Sequence, residues 1–141
     1  MTIRETQDEI IADFSLFDNW EDKYAYIIEM GKKLSPLADE YKVEQNKIKG
    51  CQSNVWLHTR LDDNRLYFEG DSDALIVKGL VSMLIRVLSG HKPNEIAQSD
   101  LYFIDEIGMK QHLSMTRANG LASMIKQMKL IGLAYQSQVN P

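Results

Sequence analysis

The sequence predicts an α+β protein in which helices pack on one face of a three-stranded antiparallel sheet. Two runs of alternating apolar and polar residues, 55–61 and 65–69, lie on either side of a short polar turn. Runs with helical periodicity flank this pair, and strands and helices do not alternate strictly as they would in a parallel sheet. The chain has 141 residues, the usual length of one domain, so we expect a single domain over 1–141.

The N-terminal part of the chain predicts two helices. Apolar residues spaced by four and three favour a first, short amphipathic helix. These residues are Ile10, Phe14 and Phe17. Asn19 is a suitable N-cap for a second helix, which the apolar spacing after it supports and which Pro36 ends.

Residues 35–49 are mostly polar and predict a long surface connection, a kind of segment that often carries function. The two alternating runs that follow predict a β-hairpin with its turn at Asp62-Asp63-Asn64. We expect residues 46–49 to add the third strand of the sheet.

Two more helices are predicted after the hairpin. The segment Gly70-Asp71-Ser72-Asp73 combines a permissive backbone with capping side chains, so we expect it to cap a central apolar helix over 74–89. Gly90 suits the left-handed position after that helix. Ser114 can cap a last helix, whose small and apolar stripe is predicted to face the core. The stripe consists of Ala118, Leu121, Ala122, Ile125, Met128 and Gly132. The tail from Gln136 is expected to be loose.

The charge and apolar patterns exclude several classes of protein. The chain has 16 basic and 20 acidic residues, and its net charge of -4 is unsuited to a nucleic-acid partner. The apolar stretch 74–88 is interrupted by Lys78 and Arg86 and falls short of the roughly 20 residues needed to span a bilayer. The N-terminus lacks the pattern of a secretory signal. We therefore expect a cytoplasmic protein without a membrane segment.

Cys51 is the only cysteine of the chain. It therefore cannot form an internal disulfide, a Cys-x-x-Cys pair or the usual zinc ligand set, and we expect no metal site and no iron–sulfur cluster held by this chain alone. An extended segment would place Lys47 and Lys49 on the same side as the sulfur, where their charges would favour the thiolate. Gly50 allows unusual backbone dihedrals beside it. These features leave a reactive thiol and a cysteine without a chemical role equally open.

A cysteine hydrolase would also need a histidine base beside the sulfur. The chain offers His58, His91 and His112. His58 falls on the polar face of the first predicted strand, where a solvated histidine is the simplest interpretation.

Four sequence blocks occur in order across most of the chain. They are Trp20-Glu21-x-Lys23-Tyr24-x-Tyr26-Ile27-Ile28-Glu29-x-Gly31, Asn46-x-Ile48-x-Gly50-Cys51-Gln52-Ser53-x-Val55-Trp56, Gly70-Asp71-Ser72-Asp73-Ala74-x-Ile76-Val77-Lys78-Gly79-Leu80 and Leu113-Ser114-x-x-Arg117-x-x-Gly120-Leu121. In these blocks the chain resembles the SufE/CsdE family of sulfur acceptor proteins. The second and third blocks together are far more specific than a single short motif.

The resemblance implies a fold like that of the IscU scaffold and a role in sulfur transfer. Cys51 matches the family cysteine that takes sulfane sulfur, as a persulfide, from a cysteine desulfurase of SufS/CsdA type and thereby stimulates it. The sulfur then passes to a SufBCD-type scaffold for iron–sulfur cluster assembly. The chain itself is expected to need no cofactor, because the pyridoxal phosphate belongs to the desulfurase.

The resemblance also assigns roles to neighbouring residues. Gly50, Gln52 and Ser53 are expected to support the cysteine loop, and Lys49, Asp73 and Arg117 to bind the partner. Taken without the resemblance, Asp71, Ser72 and Asp73 are more simply helix caps. Arg117 is then a solvated residue of the first helical turn.

Two other functions compete with sulfur relay: a non-catalytic interaction domain with an idle Cys51, and a cysteine hydrolase. The sequence leaves open whether the chain forms a homodimer. We further expect a mobile loop that shelters the thiol until a partner binds, since Gly50 provides a flexible joint and an exposed persulfide is readily reduced or oxidised.

Overall fold

The computed structural model describes residues 1–139, which form seven α-helices and a two-stranded antiparallel sheet. The bounds are α1 Ile3–Phe14, α2 Trp20–Lys32, β1 Val55–Asp62, β2 Arg65–Ser72, α3 Leu75–Leu88, α4 Pro93–Ala97, α5 Phe103–Glu106, α6 Met109–His112 and α7 Met115–Tyr135. Short 3₁₀ turns occur at Asp39–Tyr41, Glu44–Asn46 and Gln136–Gln138. The last turn begins the predicted tail, whose residues 140 and 141 lie outside the described range. Within 1–139, no helix has the length and apolar character needed to cross a membrane.

Three predicted residues at helix termini are confirmed: two N-caps and one glycine that follows a C-cap. The Asn19 side chain accepts a hydrogen bond from the backbone N–H of Asp22 at 2.9 Å, at the start of α2. The Ser114 hydroxyl accepts one from the backbone N–H of Arg117 at 3.2 Å, at the start of α7. Gly90 has a φ of 85° directly after the C-cap of α3. Each of these positions needs only one local side chain or one backbone conformation.

The predicted hairpin is also confirmed. Val55 of β1 lies opposite Ser72 of β2, and Asp62 lies opposite Arg65. Asp63 and Asn64 form a two-residue turn with φ values of 50° and 62°. Positive φ at both residues gives the mirror-image turn whose twist matches that of paired strands.

The predicted third strand over 46–49 is wrong. Lys47 makes a single antiparallel bridge to Trp56, and the N–H of Ile48 donates to the Val55 carbonyl at 2.9 Å. A 3₁₀ turn ends at Asn46, and Gly50 has a φ of 91°, so the chain bends on both sides of the bridge. Residues 46–49 are therefore too short an extended segment to pair as a strand.

The predicted helix cap over 70–73 is wrong as well. β2 continues to Ser72, and the N-cap residue of α3 is Ala74, which has no capping side chain. Gly70 lies within the strand, where a Cβ atom would be 3.0 Å from both the Trp56 carbonyl oxygen and a methyl group of Val81. The glycine at this position allows α3 to pack closely on the hairpin.

The centre of the core is α3. Eight of its 14 residues are buried, and it packs against α1, α2, β2 and α7. Its crossing with α2 brings two backbones together, because a Cβ atom on Gly79 would lie only 2.2 Å from the carbonyl oxygen of Ile27. A Cβ atom on Gly31 would lie 2.8 Å from the backbone nitrogen of Gly79. Both positions of this crossing therefore require glycine.

Tyr41 and Lys42 contact the face of the hairpin opposite α3. The ring of Tyr41 stacks on His58 with centroids 3.7 Å apart. His58 is therefore only partly solvated, since Tyr41 of the connection before the hairpin covers one face of its ring.

Asp71 fixes the same connection to the hairpin. One of its carboxylate oxygens lies 3.1 Å from the ammonium group of Lys42, and the other lies 3.4 Å from that of Lys78. Burial alone would raise the pKa of Asp71, but the hydrogen bonds from Lys42 and a backbone N–H, together with the charge of Lys78, lower it overall. This carboxylate thus joins three parts of the chain: the connection, β2 and α3.

The inward stripe of α7 differs from the predicted one. Its buried residues are Gly120, Leu121, Met124, Met128 and Gly132, whereas Ala122 is exposed. The predicted stripe is therefore correct at Leu121, Met128 and Gly132, and Ala118 and Ile125 also pack, partly buried, against the core. It is wrong at Ala122, and it omits Met124, which faces the core.

We expect the substitution Gly79→Ala to destabilise the protein, because the Ile27 carbonyl oxygen and a methyl group 2.5 Å away occupy the space of the new Cβ. Helix propensity alone would favour alanine by about 1 kcal/mol. Overpacking costs about 1 to 3 kcal/mol and opposes that gain. Urea denaturation followed by circular dichroism measures the net change in the free energy of unfolding.

Gly120→Ala is the matched control, since the atom nearest to its Cβ is the Cys51 sulfur at an ordinary contact distance of 3.5 Å. This variant should be as stable as the wild type or more stable. Equal gains in stability for both variants would contradict the close crossing of α2 and α3.

Candidate functional site

Cys51 lines a cavity of about 350 Å³ between its own loop and the N-terminal parts of α3 and α7. The loop and α3 contribute Cys51, Gln52, Ser53 and Val77, and α7 with its cap contributes Ser114, Thr116, Arg117, Gly120 and Met124. The predicted loop residues Gln52 and Ser53 thus share one cavity with Cys51 and with the predicted partner-binding residue Arg117.

The N-terminal side of the loop rests on α7. Gly50 packs so closely that a Cβ atom would be 2.4 Å from the Ser123 hydroxyl, and its φ of 91° is one that other residues rarely adopt. The Cys51 thiol lies 3.5 Å from the Gly120 carbonyl oxygen, to which it can donate a weak hydrogen bond. Gly50 therefore allows the loop to approach α7 closely, whereas a Cβ atom at Gly120 would still fit beside the sulfur.

The C-terminal side of the loop is held by Asp73. Its carboxylate accepts hydrogen bonds from the backbone N–H and the side-chain amide of Asn54, at 3.1 and 2.9 Å. The Ser72 hydroxyl donates to the Asn54 carbonyl at 2.8 Å. Asp73 lies at the end of the cysteine loop, as expected for a residue near the site, but it does not line the cavity.

Burial determines the ionisation of Cys51 in this structure. The side chain is half-buried and packs against the edge of the core, and this burial raises the pKa of its thiol above the ordinary value. The resting thiol is therefore partly shielded from solvent, and its burial favours the protonated form.

The prediction that two lysines promote the Cys51 thiolate is wrong for this resting structure. Lys47 forms an ion pair with Glu44 at 3.0 Å. Lys47 and Lys49 line a different cavity, of about 460 Å³, together with Ser123 of α7. The strand-like alternation that would bring them to the sulfur fails because the chain bends at Gly50.

Arg117 differs from Asp73 in that its charge has no ion-pair partner among the described residues. It is exposed on the first turn of α7, and its guanidinium has no carboxylate within salt-bridge distance among residues 1–139. A cation of this kind at the rim of the cavity is available to an incoming partner.

None of the three histidines, all of which lie within residues 1–139, lines the cavity. His58 lies under Tyr41, His112 stacks on Trp20 at 4.0 Å, and His91 is half-buried, which lowers its pKa. A cysteine hydrolase would thus lack a base beside its nucleophile. Within the described residues, no cluster of three or more histidine, cysteine or carboxylate groups is suited to a metal ion.

Sequence reasoning did not assign Val77, Thr116 or Met124 to the site. These residues follow helical caps or lie in an apolar stripe, so nothing in their type distinguishes them from ordinary helix residues. Gly120 carried a usable signal, because a glycine inside a predicted helix lowers its stability and often marks a close approach of another group.

Comparison with known proteins agrees with the four sequence blocks. Residues 8–131 match the SufE family model, described as an Fe-S metabolism associated domain. An uncharacterized SufE-like protein of Rhizobium meliloti is 46% identical over 127 residues, covering 86% of this chain and 91% of that protein. Another, from Rhizobium etli, is 47% identical over 127 residues, covering 86% of each.

The solution structure of a hypothetical protein from Thermus thermophilus has the same fold, with a TM-score of 0.76, 15% identity, and coverage of 95% of this chain and 97% of that one. The family match and the two close relatives confirm the predicted family. The chain belongs to the SufE family, whose domain is associated with iron–sulfur metabolism.

Proposed function

We propose that this protein accepts sulfane sulfur on Cys51 from a PLP-dependent cysteine desulfurase of SufS/CsdA type and relays it to a SufBCD-type scaffold for iron–sulfur cluster assembly. One observation carries the proposal: the only cysteine of the chain faces a cavity of about 350 Å³, which has room for an added sulfur atom. Membership of a family associated with iron–sulfur metabolism supports the same reaction.

The transfer is a thiol exchange. The Cys51 thiolate attacks the outer sulfur of a persulfide on the donor cysteine, the donor S–S bond breaks, and a new S–S bond forms at Cys51. The donor leaves as a thiolate, which takes up a proton as Cys51 loses one, so the exchange needs no external oxidant or reductant. A lone cysteine cannot convert its persulfide to an intramolecular disulfide, so the sulfur remains available to the next acceptor.

Docking of the donor must also change the environment of Cys51. Burial keeps the thiol protonated and restricts access to it, and both effects slow an exchange whose rate depends on the thiolate fraction. Gly50 can serve as the hinge of this movement, because glycine adopts positive and negative φ values about equally readily. We propose that partner binding moves Cys51 out of the cavity, and that the cavity shelters the persulfide between transfers.

A non-catalytic interaction domain with an idle Cys51 is the alternative function. Mass spectrometry after incubation with a desulfurase, PLP and cysteine separates the two, because only a relay protein gains sulfur on Cys51. The cysteine hydrolase receives no support, since no histidine of the described part of the chain lines the cavity.

We expect Cys51→Ser to abolish both sulfur uptake and stimulation of the desulfurase, because a hydroxyl group cannot carry a persulfide. The mass of the intact protein measures sulfur uptake, and the rate of sulfide release measures stimulation of the desulfurase. The control is binding of the variant to the desulfurase, which should persist if the substitution removes only the acceptor. A serine variant that still stimulated the enzyme fully would show that Cys51 is not the acceptor.

We expect iodoacetamide to modify Cys51 more slowly than the thiol of a short peptide containing Gly-Cys-Gln-Ser. The pH profile of the rate should also lie at higher pH than that of the peptide, because burial raises the pKa of the thiol. Addition of a desulfurase that carries no persulfide should accelerate the reaction, because the enzyme can still dock on this protein.

Gly120→Leu provides an internal test of the same cavity, since a leucine side chain would extend into the space beside the Cys51 sulfur. This variant should be alkylated faster than the wild type, whereas Ala122→Leu, at an exposed position of the same helix, should not. A peptide-like rate in the wild type that the partner leaves unchanged would contradict sheltering.

We expect Arg117→Glu to weaken desulfurase binding by about tenfold or more, because charge pairs at an interface that excludes water contribute strongly to affinity. Lys32→Glu, an exposed charge reversal at the end of α2, is the control and should bind normally. Calorimetry with the desulfurase measures the affinities, and unchanged binding by Arg117→Glu would remove this residue from the interface.

Asp73 needs a pair of variants, because its carboxylate holds Asn54. Asp73→Asn keeps an oxygen acceptor for the Asn54 N–H, whereas Asp73→Arg removes it. A docking role predicts weaker desulfurase binding in both. A purely structural role predicts faster alkylation of Cys51 in Asp73→Arg alone, with the affinity of both variants unchanged.

A further inference from the structure

Glu106 is the last acidic residue in the sequence of this chain. Of its 20 aspartate and glutamate residues, none falls within 107–141. α7 therefore carries Arg117, Lys126 and Lys129 without a single negative charge, although the protein as a whole has a net charge of -4. This helix presents positive charge on an otherwise acidic molecule.

An apolar groove of about 420 Å³ lies between α6 and α7. Ala118 and Ala122 are one turn apart on α7, so their small side chains leave space between the larger groups around them. Leu130 lies at the same groove and is 48% exposed, and Leu133, on the next turn, is 59% exposed. Contiguous apolar surface of this kind is unusual on the exposed side of a helix and often marks an interaction site.

Lysines border this apolar surface. Lys110 of α6 and Lys126 and Lys129 of α7 line the groove. Lys110 lies 3.5 Å from Asp105, but Lys126 and Lys129 have no carboxylate within salt-bridge distance in the described part of the chain. An occupant with carboxylates at its edges would complement two unpaired charges.

The groove is distinct from the Cys51 cavity. Among the residues that the structure describes, none lines both, although α7 contributes to each. The groove and the Cys51 cavity are therefore lined by different side chains.

We propose that the groove between α6 and α7 docks an acidic amphipathic helix of a partner protein. Leucine-like side chains spaced by three and four residues on such a helix would fill the apolar surface, as in other complexes of a helix in a groove. Glutamate or aspartate side chains beside them would pair with Lys126 and Lys129. This interaction lies beyond the sulfur-transfer function and does not require Cys51.

A labelled peptide tests the proposal directly. The probe is a helix of about 18 residues, or five turns, with leucine on one face and glutamate beside it. Fluorescence anisotropy measures its affinity for the full chain, and nuclear magnetic resonance shifts identify the residues it contacts. We expect binding that weakens as salt is added, with shifts concentrated in α6 and α7 and the same affinity for Cys51→Ser.

Matched variants separate the groove from general charge effects. The double variant Lys126→Glu and Lys129→Glu should bind about tenfold more weakly or worse, because two attractive contacts become repulsive. Lys32→Glu with Lys33→Glu makes the same charge change on exposed residues of the α2 end and should bind normally. Leu130→Glu should also lose binding, whereas Leu16→Glu, at a residue that is 79% exposed, should not.

Several results would overturn the proposal. These are no binding by the wild type, equal binding of a peptide with lysine in place of glutamate, or equal losses in the control variants. A wild-type dimer that Leu130→Glu converts to a monomer, measured by sedimentation, would instead assign the groove to a second copy of this chain. The docking proposal is tested without using Cys51. Its failure would therefore leave the sulfur-acceptor proposal intact, and failure of the sulfur-acceptor proposal would leave the docking proposal intact.

Discussion

The contact between Gly79 and the carbonyl group of Ile27 positions most of this molecule. Because no side chain separates the two backbones, α3 lies directly against α2, and its other side packs on the hairpin at Gly70. The first turn of α3 then places Val77 in the wall of the Cys51 cavity. A displacement of α3 at the crossing would therefore also alter the cavity, although Gly79 itself takes no part in the site.

Features that depend on one or two neighbouring residues could be predicted from the sequence. The caps at Asn19 and Ser114 and the turn at Asp63-Asn64 are of this kind, because each satisfies a local hydrogen-bonding or backbone requirement. The third strand could not be predicted reliably, because pairing depends on where the chain turns on either side of the extended segment. Asp73 resembles a helix cap in sequence, yet its carboxylate is occupied by Asn54, a residue 19 positions earlier.

The sequence marks Cys51 as the candidate site, but the lysines beside it predict the wrong electrostatics for its thiol. Nearby lysines in the sequence suggest an ionised thiol only if the chain is extended, and the bend at Gly50 directs them to a different cavity. Contact with α7 removes water from the sulfur instead, and desolvation opposes ionisation. The covering residues come from about 70 positions further along the chain, so inspection of the residues around Cys51 could not reveal them.

Cys51 and α7, the helix that packs over its thiol, are far apart in sequence, and this separation has a consequence during protein synthesis. The thiol contacts Gly120, which is 69 residues away, and α7 continues to Tyr135. At a synthesis rate of about 5 to 20 residues per second, the ribosome needs on the order of several seconds to make the helix after it has made the cysteine. A nascent chain therefore presents an uncovered thiol for longer than most local folding events take, and during that interval the reducing capacity of its surroundings, rather than its fold, must keep the sulfur intact.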